Sequence, residues 1–305
     1  MKAVVLPSYG KPENLEIRDI DEPSPGPNEI KVHVVAAGIN PIDWKLRSGA
    51  YQKYWPLDLP AILGRDVAGE VVAVGSRVTN FKVGARVLGL INKGYADYVV
   101  APVGAWAEVP KKLDLVEAAA LPLVLLTGAQ LVEEAADFEK GDVVLVTGAT
   151  GSVGRVAVFC AKARGATVYA GVRGDHEVEA IKLGVHGVIA LDDDREIDEA
   201  PSFDALADTV GGETTQRLLR KLKLGGRIGS TVGEPPGAKD RALVVHAFVT
   251  RPDAARLAEL AAAVAAGQLV IPIANKRFPL AEAAEAQRIA EGGGVGKVLL
   301  TTGAH

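Results

Sequence analysis

"DVVLVTGATGSVGRVAVFCAKARGATVYAGVR", residues 142–173, sets an apolar run before a cluster of glycines, then a helix-like stretch and a second apolar run that ends in arginine. The first run predicts a buried strand. The apolar spacing of Val153, Val156, Ala157, Phe159 and Cys160 predicts a helix running to Arg164, and "ATVYAGV" predicts a second strand. A strand that turns sharply into a helix through "GATGSVG" has the spacing of the dinucleotide-binding fingerprint, with Ala149 in place of its first glycine and Gly151 and Gly154 in the other two positions. In that pattern Gly148, Ala149 and Thr150 make the turn. Gly151 has no side chain to hold a pyrophosphate away from the backbone, the amides of Ser152 and Val153 present the positive end of the helix dipole, and Gly154 lets the helix pack closely on the strand. About 20 residues past the glycines, an NAD site carries an acidic residue for the ribose. This chain instead has Gly171 and Val172 followed by Arg173, whose guanidinium suits a 2′-phosphate, so NADPH is expected over NADH. Asp175 two residues further on, and an ordinary loop role for Arg173, remain as alternatives.

Outward from this stretch, the texture of the chain changes twice. Residues 1–122 read as short strands separated by Gly, Pro and Asn, which suggests a compact barrel or sandwich. Residues 123–249 alternate strands with helices, which predicts a parallel sheet covered on both faces. Within that segment "ETTQRLLRKLKL" (213–224) is expected as one helix ended by Gly225 and Gly226, its basic residues lying on the solvent face and in the last turn. Residues 250–305 hold two helix patterns and the closing strand "GKVLLTT". The fold class expected is therefore α/β, a β-rich domain in two segments around a doubly wound parallel sheet.

Composition narrows the function. Of 305 residues 48% are hydrophobic and 24% charged, which is ordinary for a globular protein. A net charge of -4 argues against nucleic acid or an anionic membrane as partner. No apolar run approaches the roughly 18 residues of a membrane span, and the first residues lack a signal-peptide core, so a cytoplasmic protein is expected. The one cysteine, Cys160, excludes an internal disulfide and lies in an apolar pattern that predicts a buried thiol.

Several motifs in order, "AAGINPIDWKLRSGAY", "PAILGRDVAGEVVAVGSRV", "DVVLVTGATGSVG", "GGRIGSTVG" and "GKVLLTT", resemble the zinc-independent quinone oxidoreductases of the medium-chain dehydrogenase/reductase superfamily. The "NPIDWK" form is similar to members that reduce alkenals, enones and quinones. The resemblance implies a GroES-like catalytic domain formed by both chain ends, an inserted Rossmann domain, a central cleft and a homodimer. Against the zinc alcohol dehydrogenases of that superfamily, Asn40 aligns with a cysteine ligand and Gly64, Arg65 and Asp66 align with the "GHE" turn that supplies a histidine. The cysteine-rich structural-zinc lobe is missing too. With one Cys and five His, no zinc site of either kind is expected.

Without a metal, charge developing on the substrate oxygen needs hydrogen-bond donors or a cation. The resemblance places Asn40, Asp43, Lys45 and Tyr51 at the cleft: Asn40, Lys45 and Tyr51 as candidates to steady the oxygen, Asp43 as an orienting partner. Each has a plainer alternative, Asn40 as a turn residue before Pro41 and Lys45 as a solvated side chain among them. It also carries Thr127 toward the nicotinamide, puts Thr209, Val210, Thr231, Val232 and Gly233 at the carboxyl edge of the sheet where doubly wound folds bind ligands, and matches Lys297 to a cofactor contact. The expected activity is NADPH-dependent reduction of a small quinone or α,β-unsaturated carbonyl. A stand-alone enoyl-thioester reductase and a non-catalytic NADPH-binding structural or regulatory protein are the rivals.

Overall fold

The computed structural model describes residues 1–303. The chain divides into two units, one made of Met1–Leu123 with the chain from Arg251 onward, the other of Val124–Thr250. The fold is α/β, a GroES-like sheet unit and a Rossmann unit.

In the Rossmann unit all six strands are parallel, in the order Gly187–Ala190, Thr167–Val172, Val143–Thr147, Phe203–Asp208, Leu222–Ser230, Val244–Ala247. Numbered along the chain this is 3-2-1-4-5-6, so the order reverses beside Val143–Thr147, the switch point at which such sheets bind ligands. The central strands are apolar runs because helices cover both faces of a doubly wound sheet. The helix Ser152–Ala163 buries Val156, Ala157, Val158, Cys160 and Ala161. Cys160 has no exposed surface, as its place in the apolar pattern required.

One element departs from its expected form. The helix after residue 211 is Gly212–Leu218 with a 3-10 turn Leu219–Lys221, and the next strand already begins at Leu222. Leu222 pairs with Phe203, the register then slips before Arg227 pairs with Ala205, and Gly225 takes up the slack at φ 71°. Leu218, Leu219 and Leu222 satisfy a helical spacing, but pairing with a central strand also packs Leu222, half-buried, against the core and wins. The basic residues here are paired, Arg217 with Asp194 at 2.7 Å, Arg220 with Asp198 at 2.5 Å and Lys223 with Asp204 at 2.7 Å.

The GroES-like unit is built on the long strand Glu29–Gly38, whose residues alternate buried and half-buried until the fully buried end Ala36–Ala37–Gly38. It pairs antiparallel with Asp66–Val74, Tyr98–Pro102 and Lys297–Thr301, so the last strand of the chain lies against one of the first. Val4, Leu6, Ile30, Val32, Val67, Trp106, Phe278 and Leu300 form its core. Each such side chain contributes about 1.5–3 kcal/mol by leaving water. This pairing also carries Lys297 to the end of Glu29–Gly38, beside Asn40.

Candidate functional site

At the Rossmann turn, Gly148 has φ 62°, and a Cβ there would lie 2.5 Å from Thr209 Oγ1. Gly151 caps the helix Ser152–Ala163 with no side-chain hydrogen bond to the first-turn amides. A Cβ on Gly151 would meet only Gly148 O, at 3.2 Å, and otherwise point into open space. On Gly154 it would lie 2.1 Å from Gly148 O, so glycine is what allows the helix to sit this close to the turn. The result is an open concavity faced by uncapped helix-start N–H groups, which suits an anionic phosphate bridge. Ala149 is fully buried and Thr150 accepts from Arg155 Nε through its carbonyl at 2.8 Å.

Beside this turn stands a carboxylate that sequence reasoning passed over. Asp208, with no exposed surface, accepts from Thr147 Oγ1, Thr215 Oγ1 and the N–H groups of Val210 and Gly211. It thereby fixes the loop carrying Thr209 and Val210, while Thr209 bonds Thr147 from both its N–H and its hydroxyl and Thr231 Oγ1 donates to Asp208 O. Gly233 has φ 105° and open space beside it. Thr127 pairs its hydroxyl with that of Thr250 at 2.7 Å. Arg173, at the end of Thr167–Val172, is exposed and paired with Asp175 at 3.0 Å. A solvated pair of this kind is worth at most about 1 kcal/mol, so a doubly charged phosphate competes for the arginine easily. An open concavity of about 370 Å³ lined by Lys162, Thr167, Gly184 and His186 lies at the opposite, amino end of the strands and has none of these features.

In the GroES-like unit the four candidates fall into two pairs. Asn40 and Asp43 are fully buried. Asp43 Oδ2 accepts from Asn40 N–H at 2.8 Å, which holds the start of the helix Pro41–Arg47, and from the Tyr95 hydroxyl at 2.8 Å. The Asn40 amide donates to Asp66 Oδ2 at 2.9 Å and accepts at Oδ1 from Lys297 Nζ. Lys297 also donates to Ile39 O at 3.0 Å and to Asp66 Oδ2 at 3.1 Å, and Leu123 N–H donates to Asp66 Oδ1 at 2.6 Å. Lys297, expected at the cofactor, thus spends its three protons on the protein, because the strand Lys297–Thr301 delivers it to three acceptors, Ile39 O, Asn40 Oδ1 and Asp66 Oδ2. Lys45 and Tyr51 form the second pair, half-buried, with Nζ 5.4 Å from the ring centroid.

Asp66 and Tyr95 complete this network, while Arg65, next to Asp66 in sequence, sets its guanidinium against the Trp55 ring at 5.4 Å, and none of the three was singled out as a site residue from sequence. Gly64, at φ 95°, admits the Tyr95 ring, which a Cβ would touch at 2.4 Å. Asn40 and Asp66 both accept from the ammonium group of Lys297. Among the described residues no group of three or more His, Cys, Asp or Glu gathers to hold a metal ion.

Burial pushes the Asp43 carboxyl up to about 6, helped by the charge of Asp66 and opposed by its two hydrogen bonds and by Lys297. A carboxyl raised on folding contributes stability that is complete below its unfolded pKa near 4 and disappears as pH rises through 6. We expect the stability of the wild type relative to Asp43→Asn to fall by about 3 kcal/mol between pH 4 and pH 7, from roughly two pKa units at 1.36 kcal/mol each. Urea unfolding of both proteins across that range checks it, and a flat difference would refute the buried, weakly compensated carboxyl.

The chain is similar to known proteins over most of its length. Residues 26–111 match the alcohol dehydrogenase GroES-like domain family and residues 183–300 the zinc-binding dehydrogenase family. The chain is 33% identical to the quinone oxidoreductase of Homo sapiens, over 98% of this chain and 97% of the relative. It is 31% identical to the 2-haloacrylate reductase of a Burkholderia species, over 94% of each. The crystal structure of Escherichia coli quinone oxidoreductase complexed with NADPH superposes with a TM-score of 0.85 at 28% identity, covering 99% of this chain and all of that one.

Proposed function

The chain belongs to the quinone oxidoreductases of the medium-chain dehydrogenase/reductase superfamily, and from that premise we propose that it is an NADPH-dependent, zinc-independent reductase of quinones or α,β-unsaturated carbonyls. The observation that carries the reading is the concavity at Gly151, open in front of an uncapped helix start. Gly148, Ala149, Thr150 and Gly151 would shape the seat, the N–H groups of Ser152 and Val153 would meet the pyrophosphate, and Arg173 would take the 2′-phosphate. Thr127, Thr209, Val210, Thr231 and Gly233 would follow the rest of the nucleotide. When bound, NADPH supplies a hydride from C4 of its nicotinamide.

An acceptor taking that hydride gains negative charge on its oxygen, and a dry site with fixed donors stabilises it. Lys45 and Tyr51 suit the task, because neither side chain is committed to a hydrogen bond with another described residue. Asn40 has one amide hydrogen left after Asp66, and Asp43 holds the helix start that carries Lys45. The names of the relatives, one for quinones and one for a haloacrylate, support acceptors whose electron-poor double bond is conjugated to an oxygen.

The test is oxidation of NADPH, beside NADH, with benzoquinone, a naphthoquinone, short alkenals and an enoyl thioester. Turnover of the first three with NADPH preferred is expected. Arg173→Ala should raise the KM for NADPH about 10-fold and leave that for NADH within about 2-fold, a charge-assisted contact being worth roughly 1.5–3 kcal/mol. Preference for the thioester would move the assignment to an enoyl-thioester reductase, and tight NADPH binding with no turnover would make it a binding protein.

A further inference from the structure

Arg65 is 9% exposed, and its guanidinium has no ion pair and no side-chain hydrogen bond with any described residue. A buried guanidinium stays charged, its enclosed Nε–H has no acceptor, and the protein supplies none to its accessible terminal N–H groups either. The neighbouring carboxylates do not supply one. Asp66 gives both oxygens to Leu123, Asn40 and Lys297, Asp43 gives Oδ2 to Asn40 and Tyr95, and neither comes within ion-pair distance of Arg65. What holds the side chain is Trp55, whose ring centroid lies 5.4 Å from the guanidinium carbon. Burial opposes the charge while Asp66 and Asp43 favour it, the burial effect being larger. Of the three guanidinium nitrogens only Nε is fully enclosed. The accessible edge is therefore the pair of terminal nitrogens, the edge that a planar carboxylate meets with two parallel hydrogen bonds.

We propose that Arg65 anchors a carboxylate on the acceptor, so that the substrates of this protein include α,β-unsaturated carboxylic acids. The inference rests on the reductase reading above. Such acids are poor hydride acceptors in water, because the arriving electron pair is pushed toward a group that is already negative. A guanidinium on the carboxylate offsets that charge. In the reaction the hydride forms the C–H bond at the β carbon, the alkene electrons move toward the carboxylate, and the α carbon takes a proton from water. NADPH becomes NADP⁺, the alkene becomes a single bond and the carboxylate is unchanged. A neutral quinone would use one N–H and leave the cation uncompensated.

The experiment compares crotonate with methyl crotonate, the same alkene with and without the charge, in the wild type, Arg65→Gln and Arg65→Lys. The ratio of kcat/KM for acid over ester should fall about 10- to 100-fold in Arg65→Gln, mainly through the KM for crotonate, and less in Arg65→Lys, which keeps the charge without the planar fork. Calorimetric titration of butyrate should show binding by the wild type that Arg65→Gln loses, a readout independent of turnover. An equal loss for acid and ester, a matching loss of NADPH affinity, or quinone turnover in a wild type that neither reduces crotonate nor binds butyrate would overturn the carboxylate anchor alone. Turnover of no acceptor of any kind would instead defeat the reductase reading beneath it.

Discussion

Lys297→Met lowers stability by about 3–5 kcal/mol in our expectation, the usual cost of removing one partner from a buried ion pair. The ammonium is 6% exposed and serves three acceptors, so methionine fills the space and satisfies none of them. Asp66, with no exposed surface, would be left with only the Asn40 amide and the Leu123 N–H as partners. At roughly 2–4 °C per kcal/mol for a chain of this size, the melting temperature should drop by about 10 °C. The double variant Asp66→Asn/Lys297→Met removes both charges and should lose less than the sum of the two single variants, by on the order of 2 kcal/mol or more. Thermal unfolding of the four proteins measures the coupling. Simple additivity would mean that the two groups do not depend on each other and that the ammonium is a bystander near Asn40.

The consequence reaches the chemistry as well as the fold. Lys297 and Asp66 hold the two ends of the Asn40 amide, and Asp43 holds its N–H, so the start of the helix Pro41–Arg47 is set by three buried side chains. Lys45 stands one turn along that helix. Its position relative to Tyr51 therefore depends on the buried Asp66–Lys297 pair, which is how a lysine near the end of the chain bears on a loop near its beginning.

The glycine turn was legible because the pattern that makes it is local. Strand, glycines, helix and second strand follow within residues 142–173, and each is fixed by spacing that needs no distant partner. The buried network was not legible, since its members are 26 and 231 residues apart in sequence at Asp66–Asn40 and Asp66–Lys297, and only the antiparallel pairing of Lys297–Thr301 with Glu29–Gly38 brings them together. The signal available was an acidic residue and a lysine each opening an apolar strand, two charges that burial would force to find each other. Lys297 was accordingly expected at the cofactor and instead bonds Asn40. Asp208 escaped for the same reason, its acceptors serving Thr147 from 61 residues away. The register slip at Leu222–Gly226 could not be read either, because leucines at helical spacing also fit a strand that starts early.

Gly154→Ala and Gly151→Ala should separate the two demands made on the turn. At Gly154 the new Cβ would lie 2.1 Å from Gly148 O and 2.8 Å from Ala149 Cα, both backbone atoms that cannot rotate aside. The helix must retreat, at a cost of about 1–3 kcal/mol for overpacking, and its first-turn amides move with it. Losing two charge-assisted hydrogen bonds to a pyrophosphate at roughly 1.5–3 kcal/mol each would weaken NADPH binding by about 100-fold or more. At Gly151 the Cβ meets only Gly148 O at 3.2 Å, so the fold tolerates it, but the methyl occupies the space in front of the helix start. Gly151→Ala should therefore keep the wild-type melting temperature within about 2 °C while losing about 10-fold or more in NADPH affinity, the price of one such hydrogen bond. Fluorescence titration of NADPH and thermal unfolding, run on both variants, distinguish the outcomes. If Gly151→Ala bound NADPH as the wild type does, the open space before the helix would not be the phosphate seat, whatever Gly154→Ala did to the fold.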